Sequence, residues 1–198
     1  MKNVELNKSI NLSEHLASPS EAALGHLSEL NGSRLSPHFT LGEVTKSSHN
    51  EIGNIPSHMA IENLKRVCIW LEVLRYRYNQ RYECPSTPST SSGTVEGDTV
   101  AEPVEAPIII NSGYRSPELN KKVGGAPTSN HLTGCAVDIH VAGIEQAMRY
   151  AVILMDYADE TKQDYDELLI ERSPKGNCWL HFAVRPKENR RKIAFLQI

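Results

Sequence analysis

The chain has 198 residues, 39% of them hydrophobic, and a formal net charge of −3 at pH 7. That length suffices for one well-packed domain, and the slight acidity offers no basic surface to nucleic acid. Four cysteines, Cys68, Cys84, Cys135 and Cys178, stand without CxxC pairing, which argues against a thiolate zinc knuckle or a disulfide framework and for reduced thiols. The first residues, MKNVELN, lack the apolar core of a signal peptide, and no run approaches the roughly 20 apolar residues that cross a bilayer. Cytoplasmic synthesis without an export signal, and no membrane segment, is the expectation.

Residues 1–36 carry Ser, Asn, Glu and His with scattered leucines, the composition of a loosely ordered tail with at most one short helix near 20–30. Across residues 57–82, Ile61, Leu64, Val67, Cys68, Leu71, Leu74 and Tyr78 recur at three-and-four spacing, so one face of an amphipathic helix backs the sheet, with Ser57 able to cap its start. Residues 84–106 are rich in Pro, Ser and Thr and then acidic, which predicts a disordered surface insertion. The β-branched run at 107–110 reads as a central strand. Ser116, Pro117 and Glu118 start a helix that Gly124 and Gly125 end. A strand over 136–141 and an amphipathic helix over 144–159 follow. Strands at 167–171 and 179–184, joined by 172–177, form a hairpin.

The segment Ser129-Asn130-His131-Leu132-Thr133-Gly134-Cys135-Ala136-Val137-Asp138 sets an imidazole and a carboxylate at fixed spacing where a turn gives way to a strand. With His181 in Trp179-Leu180-His181-Phe182, it supplies two imidazoles and one carboxylate. A hydrolytic zinc usually takes three such ligands and leaves a fourth position for water. Zinc is favoured because no thiolate or thioether is needed, although ligand type alone does not exclude other divalent ions. Taken singly, each residue has a structural alternative: His131 in a polar turn, Asp138 pairing locally, His181 satisfied within the core.

The same residues carry a family resemblance. Ser129, His131, Gly134, Ala136 and Asp138 match the SxHxxGxAxD pattern of the M15 zinc peptidases, the D-Ala-D-Ala carboxypeptidase and endolysin-like group that cleaves peptidoglycan stem peptides. Upstream, residues 110–117 (INSGYRSP) and 120–125 resemble segments that precede the motif in one branch, and Phe39-Thr40-Leu41-Gly42-Glu43 resembles the opening of the family's domain. The likeness runs from about residue 39 to 183. It implies an α+β fold, a small antiparallel sheet backed by helices as in the Hedgehog/DD-peptidase fold, with the domain spanning 37–198. It implies Zn2+ held by His131, Asp138 and His181, and a peptidoglycan stem peptide as substrate, cut as a carboxypeptidase or an endopeptidase. A monomer that reaches the cell wall through a holin or virion is the matching expectation, with a phage or prophage setting.

Two further residues take roles on this reading. Symmetric pairing of the hairpin sets Glu171 opposite Trp179 and Leu169 opposite His181, so the Glu171 carboxylate lies diagonally beside the imidazole and is the expected general base. Better-known branches place this acid three residues before the last histidine, where this chain has Cys178; the alternative for Glu171 is a solvent pairing with Arg172 or Lys175. By resemblance, Arg115 lies over the metal, where its planar fork suits a terminal carboxylate or a developing oxyanion; its alternative is a salt bridge to Glu118. Ser129 either binds substrate or shapes the turn, and His140, on the strand face of Asp138, is a support or spare ligand for the site or, as three ligands are already assigned, a core or surface residue. Two other functions stay open: a zinc-stabilised, catalytically inactive binding or phage structural module, and an intracellular peptidase of unrelated substrate.

Overall fold

The computed structural model describes residues 31–82 and 106–197. The expectations for 1–30 and 84–105 lie outside the described residues. The elements are α1 (Leu41–Thr45), α2 (His58–Tyr82), β1 (Ile110–Ser112), α3 (Pro117–Lys122), a 3-10 turn (Asn130–Thr133), β2 (Ala136–His140), α4 (Ile144–Thr161), β3 (Glu167–Arg172), β4 (Cys178–Ala183) and β5 (Lys192–Gln197). The strands form one open sheet in the order β1-β2-β4-β3-β5, antiparallel except for the β3–β5 pair. This is the α+β fold expected.

Period-two alternation divides the sheet into two chemical faces. Val137 pairs with Phe182 and Phe182 with Leu168; Ile139 pairs with Leu180 and Leu180 with Ile170. These apolar rows belong to the core shared with α2 and α4. On α2, Leu64, Val67, Leu71 and Leu74 have no exposed surface, as the spacing predicts, and each is worth roughly 1.5–3 kcal/mol of burial. Trp70 joins the layers, meeting Tyr157 edge-on at 4.8 Å and Phe182 at 5.4 Å. The opposite face carries Asp138, His181 and Leu169 in one row and His140, Trp179 and Glu171 in the next. The chemistry-bearing residues therefore share the face turned away from the core of α2 and α4.

Local caps follow the sequence signals. Ser57 Oγ accepts the Ala60 N–H, and Ser116 Oγ accepts that of Leu119. Thr40 and Glu43 form a reciprocal capping box on α1. That short helix matters because Tyr114 donates its N–H to the Val44 carbonyl at 2.7 Å. Asn54 adds a clamp, donating to the carbonyls of Thr45 and Tyr114 and accepting from the Ser116 N–H. The loop after β1 is thus fixed from one side by α1.

Two sequence expectations change. The run at 107–110 is not a central strand: β1 starts at Ile110, pairs only with β2 and stands at the sheet's edge. Ile108 and Ile110 are buried while Ile109 is 48% exposed, so the three isoleucines alternate between core and solvent instead of filling a strand covered on both faces. The second change is β5, which extends the sheet beyond the hairpin and makes it mixed.

Gly134 closes the 3-10 turn with φ of 72°, and a Cβ there would lie 2.4 Å from the Ala60 carbonyl oxygen. Gly134→Ala should therefore lower stability by about 2 kcal/mol or more, read as a drop in the urea midpoint. Gly53→Ala, whose Cβ would meet nothing within 4 Å, should leave the midpoint nearly unchanged. Equal effects at both positions would remove this account of the turn.

Candidate metal and catalytic site

Three elements bring the predicted ligands together. The 3-10 turn carries His131, with Ser129 Oγ accepting the His131 N–H at 3.3 Å. β2 and β4 carry Asp138 and His181 as direct cross-strand partners. All three side chains are buried. Asp138 Oδ1 lies 2.9 Å from His181 Nδ1 and 3.2 Å from His131 Nε2, and the two imidazole nitrogens are 3.3 Å apart.

This triangle suits a small cation. Zinc bonds of roughly 2.0–2.2 Å in a tetrahedral arrangement set donor atoms about 3.3–3.6 Å apart, close to the spacing found. The protons point the same way. His131 Nδ1 lies 2.6 Å from the Gly113 carbonyl, which only accepts, so Nδ1 carries a hydrogen and Nε2 is the nitrogen turned inward. Nε2 faces a carboxylate oxygen and a second imidazole nitrogen, a donor set that could hold a cation at its centre.

The surroundings form a groove of about 880 Å³, lined by Gly124, Gly125, Ser129, Leu169, Glu171 and Trp179 among others. Arg115 turns to Asp138 rather than to Glu118: its guanidinium pairs with Oδ2 while Nε–H donates to Ser112 Oγ at 2.9 Å. Glu171 lies opposite Trp179 and diagonal to His181, the register expected, and its Oε2 accepts the indole N–H at 2.8 Å. His140 is exposed, on the surface.

Residues 97–161 match the family model described as Peptidase M15. That match supports an M15 family peptidase. The matched M15 stretch contains Arg115, Ser129, His131 and Asp138; Glu171 and His181 follow it in the chain. A search of curated proteins finds no match. M15 peptidases are typically zinc-dependent, which agrees with the His131, Asp138 and His181 group as one that could hold a metal ion.

Two carboxylates flank His181, and their environments differ. Burial pushes the Glu171 carboxyl above its usual range, only partly opposed by His181 and the Trp179 N–H. Glu167 is pulled down to about 2, first by His181 and then, against burial, by Lys192 and Arg190. For Asp138, burial works upward, yet His131 and His181 hold the group well below the ordinary carboxylate range. Burial likewise works to lower His181, but Asp138 and Glu167 raise it to about 9.

The sequence reading missed Glu167, Asn130, Asp166, Arg190 and Lys192. Glu167 had a signal, since it shares the β3 face with Leu169 and Glu171 at period two. The others meet through chain reversals that no local pattern reports. Asp166 is fully buried and receives two hydrogen bonds from the Arg190 guanidinium, at 2.8 and 2.7 Å, one from the Arg190 backbone N–H at 3.2 Å, and one from Asn130 at 2.8 Å.

An acid-stability prediction follows for the metal-free protein. Glu167 and Asp138 have folded-state pKa values below their unfolded ones, so they stabilise the fold fully above about pH 4.5 and lose that contribution as pH falls toward 2. The Glu167 gap alone corresponds to about 3 kcal/mol. Urea titrations from pH 6 to 2.5 should show the loss, and Glu167→Gln should flatten it. A curve of unchanged slope in that variant would contradict the assignment.

Proposed function

We propose that the chain is a zinc-dependent peptidase that hydrolyses peptide bonds of peptidoglycan stem peptides. The observation that carries the reading is the convergence of His131 Nε2, Asp138 Oδ1 and His181 Nδ1 at 2.9–3.3 Å on the floor of a groove. Nε2 and Oδ1 come from the stretch that matches M15 peptidases. His131, Asp138 and His181 hold the zinc. When bound, the ion polarises the scissile carbonyl and acidifies water.

The chain's own groups do the rest. Glu171, whose pKa burial raises, takes the proton of the attacking water and passes it to the departing amine. The Trp179 N–H holds one Glu171 oxygen, which leaves the other to exchange the proton. Arg115 fixes Asp138 and presents its remaining N–H groups to a substrate carboxylate or to the charge developing on the carbonyl oxygen. Ser129 lines the groove while capping the turn that bears His131. The groove of about 880 Å³ is open to solvent, which suits a peptide substrate.

Mass spectrometry of muropeptides and of a D-Ala-D-Ala-terminated peptide, after incubation with zinc-loaded protein, tests the proposal. Release of D-alanine or a new stem cut, lost on chelation, supports it and names the bond. Intact substrates with zinc bound would move the assignment to a zinc-stabilised binding module.

A further inference from the structure

His181 stands between two carboxylates on the open face of the sheet. Leu169 is its cross-strand partner, and β3 sets Glu167 two residues to one side of Leu169 and Glu171 two residues to the other. The imidazole uses its nitrogens differently. Nδ1 faces Asp138 and His131, whereas Nε2 faces Glu167 Oε2 at 3.5 Å.

Glu167 is held far more firmly than Glu171. Its Oε2 accepts the Asn130 Nδ2–H at 3.0 Å, and its Oε1 lies 3.0 Å from an Arg190 guanidinium nitrogen and 3.2 Å from Lys192 Nζ. Asn130 precedes His131 in the 3-10 turn and also donates to Asp166. One carboxylate therefore ties the turn carrying one imidazole to the strand carrying the other. The residues that hold it come from two separate parts of the chain, the 3-10 turn and the segment that enters β5.

We propose that Glu167 is a positioning residue that accepts the Nε2–H of His181 and so keeps Nδ1 turned toward Asp138 and His131. This inference rests on the metal site of the proposed function. A neutral imidazole that gives one nitrogen to a metal carries its hydrogen on the other, and an outer carboxylate fixes the ring's orientation and raises its basicity. Glu167 acts through His181 and needs no contact with substrate. Glu171, with a single indole donor, stays available for proton transfer.

The test uses the full chain, zinc-loaded and labelled with 15N-histidine. Proton NMR of the wild type should show two protected imidazole N–H signals: His131 bonded to the Gly113 carbonyl and His181 bonded to Glu167. Glu167→Ala should lose the second and keep the first, and should weaken zinc binding about 10–100-fold in chelator competition. Glu167→Gln, which keeps an acceptor oxygen, should restore most of both. A His181 N–H that exchanges freely in the wild type overturns the inference even if Glu167→Ala fails to fold. So does an alanine variant that keeps both signals and full zinc affinity. A wild type that takes up no zinc sinks the metal reading, and this inference with it.

Discussion

Asp138→Ala should abolish metal uptake and peptidase activity together, lowering kcat/KM by at least about a thousand-fold, because a metal contributes several kcal/mol to the transition state. It should also destabilise the metal-free fold. Asp138 is the carboxylate on which Arg115, His131 and His181 all converge, and its removal leaves a buried, uncompensated set of donors. Breaking a buried pair in this way costs about 3–5 kcal/mol, lowered here to the extent that the histidines shed their protons. His131→Ala separates the two effects: it should lose the metal while leaving Asp138 paired with His181 and Arg115, so its melting temperature should fall less. Retention of stoichiometric metal in Asp138→Ala, measured by atomic absorption after gel filtration, would end the three-ligand assignment.

Glu171→Gln should reduce kcat by about 10²–10⁴-fold with zinc affinity and KM little changed. The pH profile makes the assignment sharper. Glu171 must be ionised to take a proton, and burial raises its pKa above 4.5, so kcat/KM should climb through an acid limb displaced above the ordinary glutamate range. The Trp179 N–H favours the ionised form. Trp179→Phe removes that donor and should shift the acid limb to higher pH. An unmoved limb in Trp179→Phe, or full kcat in Glu171→Gln, would pass the role of base to another group.

How much was legible beforehand depended on the range of the interaction. The α2 stripe from Leu64 to Tyr78 and the caps at Ser57 and Ser116 are local, and periodicity revealed them. The hairpin register was also local, because a short loop between two alternating strands leaves one pairing that keeps Leu168, Ile170, Leu180 and Phe182 on the same face. That register alone placed Glu171 beside His181. The edge position of β1 was hidden, since three isoleucines in a row look alike whether or not one meets solvent. β5 was hidden too: Lys192 to Gln197 alternate only weakly, and a parallel partner lies more than twenty residues back in the chain. The surroundings of Glu167 were out of reach for the same reason, because Asn130, Arg190 and Lys192 meet only after the sheet is assembled.

The strand order also governs how a bound ion would leave. Asp138 and His181 sit on β2 and β4, each with a strand on either side, while the sheet's rims are β1 and β5. Fraying begins at rims, where backbone hydrogen bonds face solvent on one side, so these two ligands stay in place through most local openings. His131 is different. Its turn is tethered through the Gly113 carbonyl to the loop that leaves β1, the rim strand. Of the three ligands, His131 is therefore the one whose support reaches an edge of the sheet, and loosening β1 would reach its imidazole before it reached Asp138 or His181.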